Sequence, residues 1–189
     1  DENLREKIFL EFEPKKIADI VDELETDDAT DVVSDLPDEI AKAVLGKIDP
    51  DDSEDVKELL QYDEETAGGL MSSDFVFVNE NATVADAIEE VRKNADEFEH
   101  IYFIYVLTGD EKLVGQVLLK SLLTNTATTK IRSIVEEDLI YVTPEVDQEE
   151  VAEIMDKYDL VAIPVVDKNK RMLGRITIDD IVDVIQDEA

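Results

Sequence analysis

The sequence contains no cysteine and a single histidine, His100, in 189 residues. Without cysteine there are no disulfides, zinc–thiolate sites, iron–sulfur clusters or thiol nucleophiles. With one histidine, neither a His-based catalytic triad nor a multi-histidine metal site is expected; His100 is expected at a loop or strand edge. Positive charge is also scarce, with 18 Lys and Arg against 50 Asp and Glu and a net charge of −32. A surface that binds nucleic acid needs clustered bases, so nucleic acid is excluded as a partner. An anionic membrane surface is disfavoured for the same reason. The longest apolar runs, residues 101–107 and 160–166, are far short of the roughly 20 residues that span a bilayer. No signal-peptide pattern opens the chain, and it lacks an initial Met, so a cut from a longer chain is expected.

What is present is a globular share of apolar residues, 43%, enough for one or two compact domains. Acid is densest in the first third. Residues 1–62 hold 21 acids and 7 bases. Apolar positions there recur every three or four residues, as in Ile17, Ile20, Val21 and Leu24, or Ala41, Val44, Leu45 and Ile48. Pro14, Pro37 and Pro50 suit first turns, Asp49 suits an N-cap, and Thr26 is expected to cap a helix opening on Asp27 and Asp28. The spacing predicts a series of short helices, an irregular superhelix burying one stripe per helix.

The rest of the chain repeats itself. Residues 75–91 align with 139–155, and 106–123 align with 165–182, so that Gly115 meets Gly174. The change of offset, from 64 to 59, places five extra residues of the first copy around 94–100. Each copy reads as strand, helix, buried strand, tight turn, strand, helix, with "TGDEKLVG" and "DKNKRMLG" as turn chemistry. Val117 to Leu119 and Ile176 to Ile178 are expected to continue as strands, and the two units to share one core.

This pattern, above all "LVAIPVVDKNKRMLGRITIDDIVDVI" at 160–185, resembles a tandem pair of CBS domains. The junction "YDEETAGGLM" joins it to the acidic helices. The combination resembles the cytosolic region of the MgtE family of bacterial magnesium transporters and channels. The fold class implied is mixed: an all-α superhelical N domain (1–66), then an α/β CBS pair (67–134 and 135–185), with the start of a plug helix at 186–189. The resemblance implies a Mg²⁺-sensing regulatory region on the cytoplasmic face of the cell membrane, a homodimer through the CBS units, and a transmembrane domain of the same protein following the chain. This fragment itself is not expected to insert in a membrane.

Mg²⁺ prefers oxygen ligands and keeps several waters, so its motifs are faint. The EF-hand pattern is missing from "DPDDSEDVKELL". Asp27 and Asp31 sit four apart, on one helical face. The resemblance matches them to the family's magnesium-binding acids, with Gly69 facing that site and Asp180 as the CBS-side partner. It matches Asp183 and Glu188 to acids around the plug, and Glu149 and Asp159 to further acids of that network. Gly174, Thr177 and Asp180 also fit the Gly-x-Ile-Thr-x-x-Asp pattern by which CBS pairs hold adenine nucleotides, so ATP is a further candidate ligand. The first copy departs from it, with Leu118 and Ser121. An enzyme is not expected, since no P-loop, GxGxxG or GxSxG motif occurs. The alternative is an adenine-nucleotide-sensing CBS module of another effector; a structural scaffold is a third reading.

Overall fold

A computed structural model describes residues 12–95, 98 and 101–187. His100 and Glu188 lie outside the described residues, as do 4–11 of the expected helical region.

Four short helices open the chain: α1 (Pro14–Val21), α2 (Thr26–Ser34), α3 (Asp38–Leu45) and α4 (Pro50–Leu59). Pro14 and Pro50 occupy first-turn positions where no helical N–H is lost. Asp49 caps α4 by accepting the N–H of Asp51 at 2.9 Å. Pro37 stands one residue earlier than expected, at the N-cap of α3. Thr26 does not cap α2: the N-cap is Glu25, and Thr26 is the first helical residue. Each helix commits one stripe to a common core of Ile17, Val21, Val33, Val44 and Val56.

A one-turn helix, α5 (Ala67–Leu70), leads into the repeats. The first contains β1 (Phe77–Asn79), α6 (Val84–Lys93), β2 (Phe103–Leu107), β3 (Leu113–Leu118) and α7 (Leu119–Thr124). The second contains α8 (Gln148–Lys157), β4 (Ala162–Val166), β5 (Met172–Thr177) and α9 (Ile178–Asp187). Thr83 and Asp86 form a reciprocal capping box on α6, and Asp147 caps α8 through the N–H of Glu149. β1 runs parallel to β2 and β2 antiparallel to β3. β4 pairs antiparallel with β5, and Val142 bridges Val165 in parallel, in the place β1 takes beside β2. Leu119 and Ile178, expected in strands, begin helices instead. α9 continues unbroken through Asp187, so 186 and 187 belong to the helix that closes the second repeat.

The repeats are interlocked at their edges. The segment before the first repeat pairs with the last strand of the second: Ser72 and Arg175 exchange both backbone bonds at 2.9 Å. The segment between the repeats does the same for β3, through Gln116 and Glu136. Glycines at the matched positions make room for this, because a Cβ on Gly115 would lie 2.2 Å from the Glu136 carbonyl oxygen and one on Gly174 would lie 2.4 Å from that of Ser72. The turns also meet: Leu113 donates to Lys170 and Met172 to Glu111. The expected single core is instead two, one per repeat, joined by a layer around Tyr105, Leu107, Leu113, Val166 and Met172. Two small sheets each need a helix-covered face, and only their opposed faces remain to be shared. Among the described residues no helix is long and apolar enough to cross a membrane.

Candidate functional site

The loop before α2 and the helix's first turn face the second repeat across a cavity of about 610 Å³. Glu25, Asp27 and Asp28 line it from the helical domain; Arg175, Asp179 and Asp180 line it from β5 and α9. Acids crowd both sides because both helices begin there, and carboxylates near a helix N-terminus interact favourably with its dipole.

Asp180 reaches back over the start of α9. Its Oδ2 accepts the Thr177 N–H at 2.9 Å and the Thr177 hydroxyl at 2.7 Å. Asp27 is held less well: the Asp28 backbone N–H donates to its carboxyl, but its Oδ1 is buried and has no hydrogen-bond partner. Burial, and then the charge of Asp180, push the Asp27 carboxyl from 3.8 up to about 8. Burial also raises Asp180, with the Thr177 bonds opposing it. Glu25 is raised by burial as well, against the lowering effect of Arg175. The cavity therefore disfavours full ionisation of its carboxyls.

Of the candidates read from sequence, Asp27, Thr177 and Asp180 come together here. Asp31 shares the helix face of Asp27 but is exposed and does not line the cavity. Gly69 lies elsewhere, with its Cα against the backbone of Asp63 and Glu64. Gly174 is buried against Ser72 rather than open to the cavity. Glu149, in the first turn of α8, and Asp159, in a left-handed conformation (φ 52°) just past its end, are both exposed. Asp183 lies on α9. Sequence reasoning missed Arg175, whose signal was a lone base inside an apolar strand of a base-poor chain.

The donors are all oxygen. Among the described residues no group of three or more His, Asp or Glu closes into a cage. A hard cation such as Mg²⁺ takes oxygen ligands and keeps several waters, so one or two carboxylates can hold it. The orphaned Asp27 oxygen and the nearby Asp180 are oxygen donors of the kind such an ion takes.

Residues 1–65 match the family described as the MgtE intracellular N domain, and 67–127 and 131–187 match the CBS domain. The magnesium transporter MgtE of Enterococcus faecalis is 43% identical over 135 residues, which are 71% of this chain and 30% of that protein. The chain thus spans about a third of that relative's length. The soluble part of a magnesium transporter, a solved structure, is 37% identical with a TM-score of 0.92, covering 98% of this chain and 72% of the other. The cytosolic domain of the Mg²⁺ channel MgtE in complex with ATP is 32% identical with a TM-score of 0.91, over 97% of this chain and 75% of that one. Neither matched family is that of an enzyme. With helical domain and repeats both matched, and the fold shared along almost its whole length, the chain belongs to the MgtE family, as its N domain and CBS pair.

Proposed function

We propose that this region senses Mg²⁺ for a magnesium transporter or channel, by binding the ion between Asp27 and Asp180 and so favouring a compact, closed arrangement. The observation that carries this reading is the buried, unpartnered Asp27 oxygen facing Asp180 across the domain boundary. Without metal, a carboxyl that ionises on one wall meets repulsion from the acids of the other. Beyond roughly 8 Å such repulsion is screened at physiological salt, so the facing carboxylates dominate. An ion that binds only the closed arrangement shifts the population towards it. High internal Mg²⁺ then compacts the region and holds the pore of the same protein shut from the cytoplasmic face; low Mg²⁺ lets the helical domain swing away.

A homodimer through the CBS units belongs to the same reading. The exposed apolar stripe of Ile178, Val182 and Ile185 on α9 supports it. Asp31, Gly69, Glu149, Asp159, Asp183 and Glu188 are assigned to the wider magnesium network on the family resemblance.

Calorimetric titration with Mg²⁺, beside small-angle scattering, tests the proposal. Asp27→Ala and Asp180→Ala are each expected to weaken binding about tenfold or more, the loss of one charge-assisted contact to the ion. A scattering radius and protease sensitivity unmoved by Mg²⁺ in the wild type would end it.

A second reading, adenine-nucleotide binding, rests on Thr177 and Tyr102 lining the same cavity and on the relative in complex with ATP. Bare phosphates meet repulsion from Asp27, Asp28 and Asp179 there. ATP is therefore expected to raise the melting temperature when Mg²⁺ is present and not in chelator. No shift in either condition removes this reading.

A further inference from the structure

The helix that carries Asp27 starts without a cap of its own. The Glu25 side chain makes no bond back to the first turn of α2. It crosses the boundary instead, where the Arg175 guanidinium donates to it at 2.9 Å. The cap is supplied from outside the helical domain: the Thr26 N–H donates to the Asp74 carboxylate at 2.9 Å. The Thr26 hydroxyl accepts the Ser73 N–H at 2.9 Å and meets the hydroxyls of Ser72 and Ser73 at 3.0 Å.

Arg175 ties this together. Its Nε donates to the Asp74 carbonyl at 2.9 Å, and its guanidinium lies 5.2 Å from the centre of the Phe98 ring. Its side chain is only 10% exposed. Its backbone holds Ser72 in the β ladder. Helix start, linker and last strand thus share one polar knot beside the cavity. Removing one partner of this half-shielded pair leaves an uncompensated charge, which costs more than losing a surface ion pair.

We propose that this knot is a metal-independent latch: Asp74 and Arg175 dock the first turn of α2 on the CBS pair, hold Asp27 opposite Asp180, and so set the Mg²⁺ concentration at which the region closes. The latch rests on the Mg²⁺-sensing reading above for its consequence, but its own contacts need no ion.

The test uses the whole chain with fluorophores on cysteines introduced at the exposed positions Lys42 and Glu153; the sequence has no other cysteine to label. Energy transfer is followed in chelator and against Mg²⁺. The variants are Asp74→Ala, its near-isosteric partner Asp74→Asn, and the double variant Glu25→Gln with Arg175→Met. The double variant avoids leaving Glu25 as an extra unpaired acid that would itself attract the ion. Each variant is expected to lower the docked fraction in chelator or to raise the Mg²⁺ midpoint about tenfold, with the same transfer at saturation. Variants that keep the wild type's docked fraction and midpoint overturn the latch while leaving the sensing reading intact. A docked fraction that falls in the variants while the wild type ignores Mg²⁺ supports the latch and overturns the sensing reading. A wild type undocked at every Mg²⁺ concentration overturns both.

Discussion

Asp27→Asn is expected to raise the melting temperature of the metal-free protein at and above neutral pH, and to erase the further rise that Mg²⁺ gives the wild type. The carboxyl of Asp27 is pushed from 3.8 to about 8 by burial and by Asp180, so the folded protein holds this proton more tightly than the unfolded chain does. A group raised in this way contributes stability that is fully present below its unfolded pKa and is lost as pH rises through the folded value. The metal-free wild type should therefore weaken between about pH 4 and pH 8, by an amount on the order of a few kcal/mol. Asparagine carries no charge to desolvate, so its profile lacks this component. Other carboxylates titrate in the same range, and the difference between the two profiles isolates Asp27. Saturating Mg²⁺ should flatten the wild-type profile, because the ion takes the place of the proton. Thermal melts from pH 5 to pH 9, with and without Mg²⁺, decide the matter: an Asp27→Asn profile parallel to the wild type's would show that this carboxylate is not the strained group.

Gly174→Ala should be among the most damaging single methyl additions in the molecule. The new Cβ would lie 2.4 Å from the Ser72 carbonyl oxygen and 3.1 Å from Cγ of Met71. Backbone stands on one side of it and a buried side chain on the other, so neither can yield cheaply. Relief requires opening the Ser72–Arg175 ladder, which removes two buried backbone bonds and pulls the linker from β5. The expected loss is about 3 kcal/mol or more, in the range of overpacked or broken cores. Gly115→Ala meets the Glu136 carbonyl oxygen at 2.2 Å and should behave alike. No glycine in the described residues has a positive φ, so space and not backbone conformation is the cause. Gly109→Ala, with nothing within 4 Å, is the control and should stay within about 0.5 kcal/mol of wild type. Urea denaturation of the three variants gives the answer; a Gly174→Ala protein as stable as wild type would show that the two segments do not approach so closely.

Local chemistry was legible in the sequence at some element starts and not at others, such as Leu119 and Ile178. Asp49 before Pro50 caps the helix that its position predicted. The repeat was legible because strand, turn and glycine recur in order, down to positive φ at the equivalent positions Glu111 and Lys170. Long-range partners were not legible. Nothing near Thr26 says that its hydroxyl belongs to Ser72 and Ser73, 46 and 47 residues away, rather than to its own helix. The period-2 pattern of β5 tells which side chains are buried but not which segment takes its open edge. The site shows the same division. Asp27 and Asp180 were found as acids at helix starts and through the resemblance. Arg175 and Asp74 were missed, because their importance lies in contacts 150 and 101 residues apart.

The exchanged edges have a consequence for how the protein is made. The sheet of the first repeat receives its edge at Glu136, about twenty residues after Gln116, so it can close while the chain is still leaving the ribosome. The other edge is different. Ser72 emerges long before Arg175, and at about 5–20 residues per second the two are separated by roughly 5–20 s of translation. During that interval the 71–74 segment has no strand to join, and Thr26 has no anchored cap. An unpaired edge is also where wrong pairing begins. The helical domain and the first repeat can therefore fold before Arg175 emerges, and their joint with the second repeat can form only after it.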